Sequence, residues 1–336
     1  MSPGEEAAAV RRGAGLFHLA GRGLLGVGGG DRVRWLNGMV TNDVAALAPG
    51  PEGSGCYALL LNRQGRILAD LHVLLRPEEI WLETAAEAVG RVAQTLARFV
   101  VADDVALSDR TGEVARLGLE GPASPRVLER ACGRPLRLGP DACAELELAG
   151  GPALVAAFGW SGEAALQLLL PRAAEAAARE ALLVAGRAEG LVLAGPEALE
   201  ILRIEAGRPR LGAELEEDVL PAEARLEGAI STRKGCYTGQ EVVERMRSRG
   251  QVGHLLVGLR PEGALPAAGA KLFAAGAAVG ELTSACHSPR AGAIALGFVR
   301  RACASPGTEL EAAGGARLRV APLPFVAGGE SGAPGA

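Results

Sequence analysis

Residues 234–241, Lys-Gly-Cys-Tyr-Thr-Gly-Gln-Glu, gather residue types the chain otherwise avoids. Lys234 is one of two lysines and Tyr237 one of two tyrosines. Thr238 with Glu241 three positions on has the spacing of a capping box, which predicts a helix over 239–249 and a stop at Gly250. Cys236 then lies at the positive end of a helix beside Arg233 and Lys234, and both features favour a thiolate. Gly235 and Gly239 would let a ligand approach the backbone closely. The same residues also fit an inert, buried cysteine, the ordinary fate of a free thiol. From Arg225 to Gly250 the chain carries six basic and three acidic residues, either a seat for an anion or a solvated face.

A second candidate is a carboxylate. In Gly-Arg-Ile-Leu-Ala-Asp-Leu-His-Val-Leu-Leu (65–75), alternation puts Ile67, Ala69, Leu71 and Val73 on one face of a strand and Asp70 with His72 on the other. Asp is depleted in strands, so Asp70 either points into a ligand cleft or lies on a solvated face. Arg203 and Glu205 interrupt an apolar helix at 195–207 in the same ambiguous way. Asn37 and Asn42, two of three asparagines, suit a turn with local capping. Gly21, Gly23 and Gly26 match G-x-G-x-x-G, but Gly28–Gly30 would break the helix that fingerprint needs, so a glycine-rich loop beside a short strand is expected. No P-loop, HExxH, nucleophile elbow or EF-hand pattern occurs.

These groups need elements to hold them. Two β-rich runs around Asn62–Gly65 predict a hairpin over 57–75, followed by a short strand at Ile80–Thr84 and a helix over 85–100. A second strand–strand–helix unit follows at 152–190. Two such units predict an α+β fold with antiparallel sheets. Residues 208–233 read as irregular. After Gln251 the pattern becomes short strands between turns, which predicts a small all-β barrel. The expected division is 1–250, an α+β region; 251–326, the barrel; and 327–336, a disordered tail. Residues 1–15 read as a frayed terminus.

The 336 residues carry a net charge of −4, which argues against direct nucleic-acid or anionic-membrane partners. No apolar run is long enough to span a membrane. Arg11-Arg12 invites an export reading, but no cleavage site follows and none is expected. Six cysteines without C-x-x-C spacing or a histidine pair predict reduced thiols in the cytoplasm and no metal site.

Together these segments resemble the glycine-cleavage T-protein superfamily, and more closely its YgfZ-type branch. Lys234–Glu241 matches that branch's K-G-C-[FY]-x-G-Q-E signature at every fixed position. "WLNGMVTNDV", "NRQGRILADL", "LRIEAGRPRLGAEL" and "GELTSACHSP" follow the expected order, and the resemblance spans residues 15–325. It implies a folate-binding region of pseudo-repeated α+β subdomains and a C-terminal β-barrel that closes a ring. It implies tetrahydrofolate, or a one-carbon derivative, as cofactor. It places Asp70 at the reactive end of the folate and matches Arg203 to a ligand arginine and Cys236 to the signature cysteine; beside that cysteine, the rare Lys234 is a catalytic candidate and the rare Tyr237 a binding one. Glu163 and Gln167 fall in the segment that grips the pterin. Gln167 stands where T-proteins have a second Glu, and it offers one acceptor and a donor rather than two acceptors.

The resulting expectation is a tetrahydrofolate-binding protein that supports assembly or repair of iron–sulfur clusters in client enzymes, tRNA modification among the processes served. Bound folate would take up a one-carbon or reactive species near Cys236. Two rivals stay open. A folate-dependent aminomethyltransferase or demethylase would have no need of Cys236. A non-catalytic adaptor would carry a vestigial pocket.

Overall fold

The computed structural model describes residues 1–48, 54–250 and 252–329. Its α+β region is built on two sheets. The first is antiparallel, in the order Gly55–Leu61, Ile67–Leu75, Ile80–Ala85, Arg22–Gly28 and Ala106–Asp109. The second runs Leu191–Leu193, Ala14–His18, Val114–Glu120, Ala165–Pro171, Gly151–Ala156 and Cys143–Leu148, antiparallel except for its first pair. One unit occurs twice: two strands, a single 3-10 turn and a helix, at Ile67–Ala97 and again at Gly151–Gly186.

Alternation along the strands decides the layers. Leu71 and Val73 face Val89, Val92 and Leu96 of the helix Val89–Ala97, while Leu168 of the second sheet faces Val127 and Leu182 of its covering helices. The two sheets meet through Leu24 and Leu74 on one side and Val114, Leu154 and Leu169 on the other. Truncating a fully buried leucine such as Leu71 to Ala costs about 2–5 kcal/mol. Asp70 and His72, on the opposite face of their strand from Leu71, therefore look into the space between the sheets.

The C-terminal part is a closed antiparallel barrel whose strands run from His254–Glu262 to Arg317–Ala321. Closure removes exposed edges. The short strand Glu309–Ala312 was not anticipated, because only four residues carry its alternation. The helix Pro196–Glu205 joins the parts. Ile201 and Leu202 pack on Ala7 and Val10, and Ile204 on Leu256, Ile294 and Leu296 of the barrel. No helix among the described residues is long and apolar enough to cross a membrane.

Three expectations are corrected. Residues 1–15 are not frayed. Pro3–Arg12 is a helix with a complete Ser2–Glu5 capping box, and Arg11 is buried against Glu163 and Glu205. The three fingerprint glycines do not form a loop; Gly23 and Gly26 lie inside the strand Arg22–Gly28. The tail expected to be disordered is held at its start, where the Gly329 amide donates to Glu163 Oε2 at 2.9 Å. Residues 330–336 lie outside the described residues.

Candidate functional site

The open end of the space between the sheets is a cavity of about 360 Å³. The strand Ile67–Leu75 contributes Asp70 and His72, and its neighbour contributes Tyr57. The loop between strands 151–156 and 165–171 supplies Phe158, Trp160 and Glu163, and Arg208 comes from beyond the helix Pro196–Glu205.

Asp70 is 4% exposed. Its Oδ2 accepts from the Tyr57 hydroxyl at 3.2 Å, and its Oδ1 is buried with no partner among the described residues. A buried carboxylate oxygen without a donor is costly and uncommon. Burial, with Asp70 beside it, pushes the Tyr57 phenol well above its usual range, so the hydroxyl stays protonated and can donate. Arg22 lies behind. Its Nε and Nη2 donate to the two oxygens of Glu83 at 2.6 and 2.8 Å, and the guanidinium covers the Trp160 ring at 5.0 Å. Burial works against its charge, but Glu83 and then Asp70 outweigh that and raise its pKa.

Arg208 donates to the Gly159 carbonyl, and among the described residues no carboxylate pairs with it. Burial lowers its pKa. Gly207 makes this placement possible. It takes φ +67 just past the helix end, which turns the chain back so that Arg208 points to the cavity.

Arg203 does not line the cavity. It is 2% exposed and fully engaged: Nε and Nη2 donate to Glu200 at 2.8 and 2.6 Å, Nη1 to Glu214 at 3.0 Å and to the Arg208 carbonyl at 2.5 Å, and Nη2 to Ser284 at 2.8 Å. It fastens helix, loop and barrel together and fixes the backbone that carries Arg208. Glu163 lines the cavity, but Arg11 Nη1 donates to its Oε1 at 2.7 Å and Gly329 to its Oε2. Gln167 lies behind the wall. Its Nε2 donates to the Phe158 carbonyl at 3.0 Å, and Phe158 in turn stacks on His72.

The signature residues lie elsewhere. Gly239, in the left-handed region at φ +83, is the cap of the helix Gln240–Arg249, and no side chain bonds there, so the expected Thr238–Glu241 box is absent. Cys236 is exposed and does not line the cavity. Tyr237 is buried beside a shallow surface depression with Arg63 and Phe99, and burial pushes its phenol up to about 12. Lys234 donates to the carbonyls of Asn37, Val40 and Asn42, which uses all three ammonium hydrogens. Asn37 and Asn42 shape that nest: Asn37 Oδ1 accepts from Val44 at 2.9 Å, and Asn42 Nδ2 donates to the Tyr57 carbonyl at 2.9 Å. The cluster is a clasp between distant segments, separate from the carboxylate cavity.

Tyr57, Phe158, Trp160, Asp141 and Arg208 were missed as cavity residues. The available signal was the scarcity of aromatics, since three of only eleven meet at one cavity.

Two stacked sheets, an inward carboxylate between them and a closed barrel behind define a T-protein-like fold. Residues 2–234 match the GCVT N-terminal domain and residues 255–326 the glycine cleavage T-protein C-terminal barrel domain. The chain belongs to the glycine cleavage T-protein family. It is 35% identical to an aminomethyltransferase of Geobacillus kaustophilus over 96% of this chain and 89% of that one. It is 34% identical to an aminomethyltransferase of Streptomyces coelicolor over 91% and 83%. The crystal structure of the glycine cleavage system aminomethyltransferase T from Bartonella henselae superposes with a TM-score of 0.86 at 28% identity, covering 97% of this chain and 90% of that one. These relatives overturn the iron–sulfur expectation. Proteins similar over nearly the whole chain carry an aminomethyl-transfer name, and the cysteine on which the iron–sulfur reading turned lies outside the cavity.

Proposed function

We propose that this chain is a folate-dependent aminomethyl-transferring enzyme with tetrahydrofolate in the Asp70 cavity. Aminomethyltransferases of this family use tetrahydrofolate. The observation that carries the reading is the buried, unpartnered Oδ1 of Asp70 on the cavity wall. The cavity volume lies in the range of small-molecule sites. Phe158 and Trp160 offer apolar aromatic walls, and Arg208 has unpaired donors for a ligand carboxylate.

Bound tetrahydrofolate supplies the nitrogen that takes up the one-carbon unit. Asp70 Oδ1 accepts from a ligand N–H and sets a fixed negative charge beside the aminomethyl group, where positive charge develops. The Tyr57 hydroxyl restrains the other carboxylate oxygen, so Asp70 is aimed before the ligand arrives. Arg203 and Gln167 position Arg208 and Phe158. The Lys234–Glu241 signature supports a place on the YgfZ-type branch, and in this reading its lysine is architectural. Six free cysteines support a cytoplasmic setting.

Calorimetric titration with reduced folates, on wild type and Asp70→Asn, tests the proposal. Wild type should bind, and Asp70→Asn should lose affinity by at least about tenfold. With an aminomethyl donor, wild type should release ammonia in proportion to tetrahydrofolate consumed. Absence of folate binding by the wild type would refute it.

A further inference from the structure

A second titratable side chain faces the cavity. His72 follows Asp70 by two residues on the same face of the strand Ile67–Leu75, about 7 Å along it. It is 8% exposed. Its ring lies flat on Phe158, with centroids 3.6 Å apart and planes 11° from parallel, and the edge of Trp160 closes one side at 6.5 Å. Tyr57, opposite on the neighbouring strand, adds a tilted contact at 4.9 Å. Three aromatic rings thus hold the imidazole in one orientation.

Its Nδ1 is buried without a hydrogen-bond partner among the described residues, and Asp141 Oδ1 lies 3.6 Å away. The other carboxylate close by, Glu83 across the sheet, is taken by Arg22. Asp141 reaches the ring from a left-handed backbone position, φ +58, with its amide donating to the Ala157 carbonyl at 3.0 Å. Its own carbonyl packs against Gly55, where a Cβ would collide with it.

We propose that His72 and Asp141 form a ligand-contacting dyad. Asp141 accepts from Nδ1–H, which leaves Nε2 unprotonated and turned to the ligand, because the partner of one ring nitrogen sets the state of the other. The 3.6 Å gap shortens when a ligand fills the cavity, as such bonds commonly do. Asp70 Oδ1 and His72 Nε2 are then two acceptors on one strand. They select a ligand that presents more than one N–H donor to this face of the strand, as an amino-substituted reduced heterocycle does. The ligand's identity rests on the folate reading; the dyad rests on geometry alone.

The test is ring-nitrogen NMR on 15N-histidine-labelled protein. The chain has four histidines, and loss of one signal set in His72→Gln assigns this one. Wild type should show His72 protonated at Nδ1, and Asp141→Asn should change that ring and leave the other three. Adding 5-formyltetrahydrofolate should shift the Nε2 signal. His72→Leu should weaken the affinity for that probe about tenfold, the worth of one good hydrogen bond, and His72→Gln, which restores an acceptor, should recover most of it. An Nε2–H tautomer in the wild type, no response to Asp141→Asn, or equal probe affinity in His72→Leu would overturn the dyad. Nδ1 protonation with a response to Asp141→Asn, but no folate binding by the wild type, upholds the dyad and sinks only the folate reading.

Discussion

The ammonium of Lys234 lies 2.6 Å from the carbonyl oxygen of Val40 and 3.0 Å from that of Asn42, 194 and 192 positions earlier in the chain. With the Asn37 carbonyl it completes a clasp that joins the segment ahead of the strand Gly55–Leu61 to the loop before the helix Gln240–Arg249. Hydrogen bonds to a charged group are worth about 1.5–3 kcal/mol each, and buried carbonyls left without a donor add to the loss. Lys234→Met should therefore lower stability by about 2–3 kcal/mol in urea denaturation, with folate affinity unchanged in the folded protein. An unchanged denaturation midpoint contradicts the clasp.

Arg11 is a buried cation between two buried carboxylates, 2.7 Å from both Glu163 and Glu205. Removing it strands two negative charges. Arg11→Met should cost about 3–5 kcal/mol. Adding Glu205→Gln to that variant should recover part of the loss. A cost below about 1 kcal/mol, as at a surface pair, would show that the terminal helix does not dock as described.

Glu200 gives a pH signature. Burial pushes its carboxyl up, but the hydrogen bond and charge of Arg203, then Arg210, outweigh this and hold it below the ordinary 4.5. A depressed folded pKa adds stability above the unfolded value and loses it as pH falls through the folded one. Below about pH 4.5 the wild type should lose stability faster than Glu200→Gln. Parallel stability curves for the two proteins through this range would rule the linkage out.

Gln167→Glu would install the residue the resemblance leads one to expect, yet here it should harm. The Nε2 donor to the Phe158 carbonyl would be replaced by a second acceptor in a buried place. Stability should fall by about 1–3 kcal/mol, and folate affinity should not rise. Tighter folate binding in this variant, measured by calorimetry, would mean that the side chain reaches the ligand.

Cys236 is the one exposed cysteine of the six. Burial pushes the thiols of Cys56 and Cys286 up to about 12. Cys236 should therefore be alkylated first at neutral pH, by mass spectrometry of iodoacetamide-treated protein. Cys236→Ser should change stability by less than about 0.5 kcal/mol and leave folate titration untouched. A tenfold loss of affinity in that variant would return the cysteine to the site.

Much that is local was legible from the amino-acid order. Alternation along 67–75 separated Ala69 and Leu71 from Asp70 and His72, and that division places the carboxylate between the sheets rather than in the core beneath the helix. Pro196 and Gly207 mark the ends of one helix, and the change of period after Gln251 marks the barrel strands. Such features follow from backbone geometry and nearest neighbours, so a short window carries them. The unusual residue types of 234–241 were legible as a constraint, but rarity does not distinguish a reacting group from a clasp.

Tertiary structure alone decided which polar residues meet. Arg203 and Arg208 stand five positions apart with the same side chain. The one on the helix is buried among Glu200, Glu214 and Ser284, and the one beyond the Gly207 turn faces the cavity. Tyr57 and Tyr237 were equally rare, and only Tyr57 reaches Asp70, because its strand lies beside the aspartate's. The cavity joins residues from position 57 to position 226. No periodicity spans that distance; sheet stacking and helix packing bring those side chains together, and the burial they create gives an unpaired carboxylate oxygen its chemical meaning.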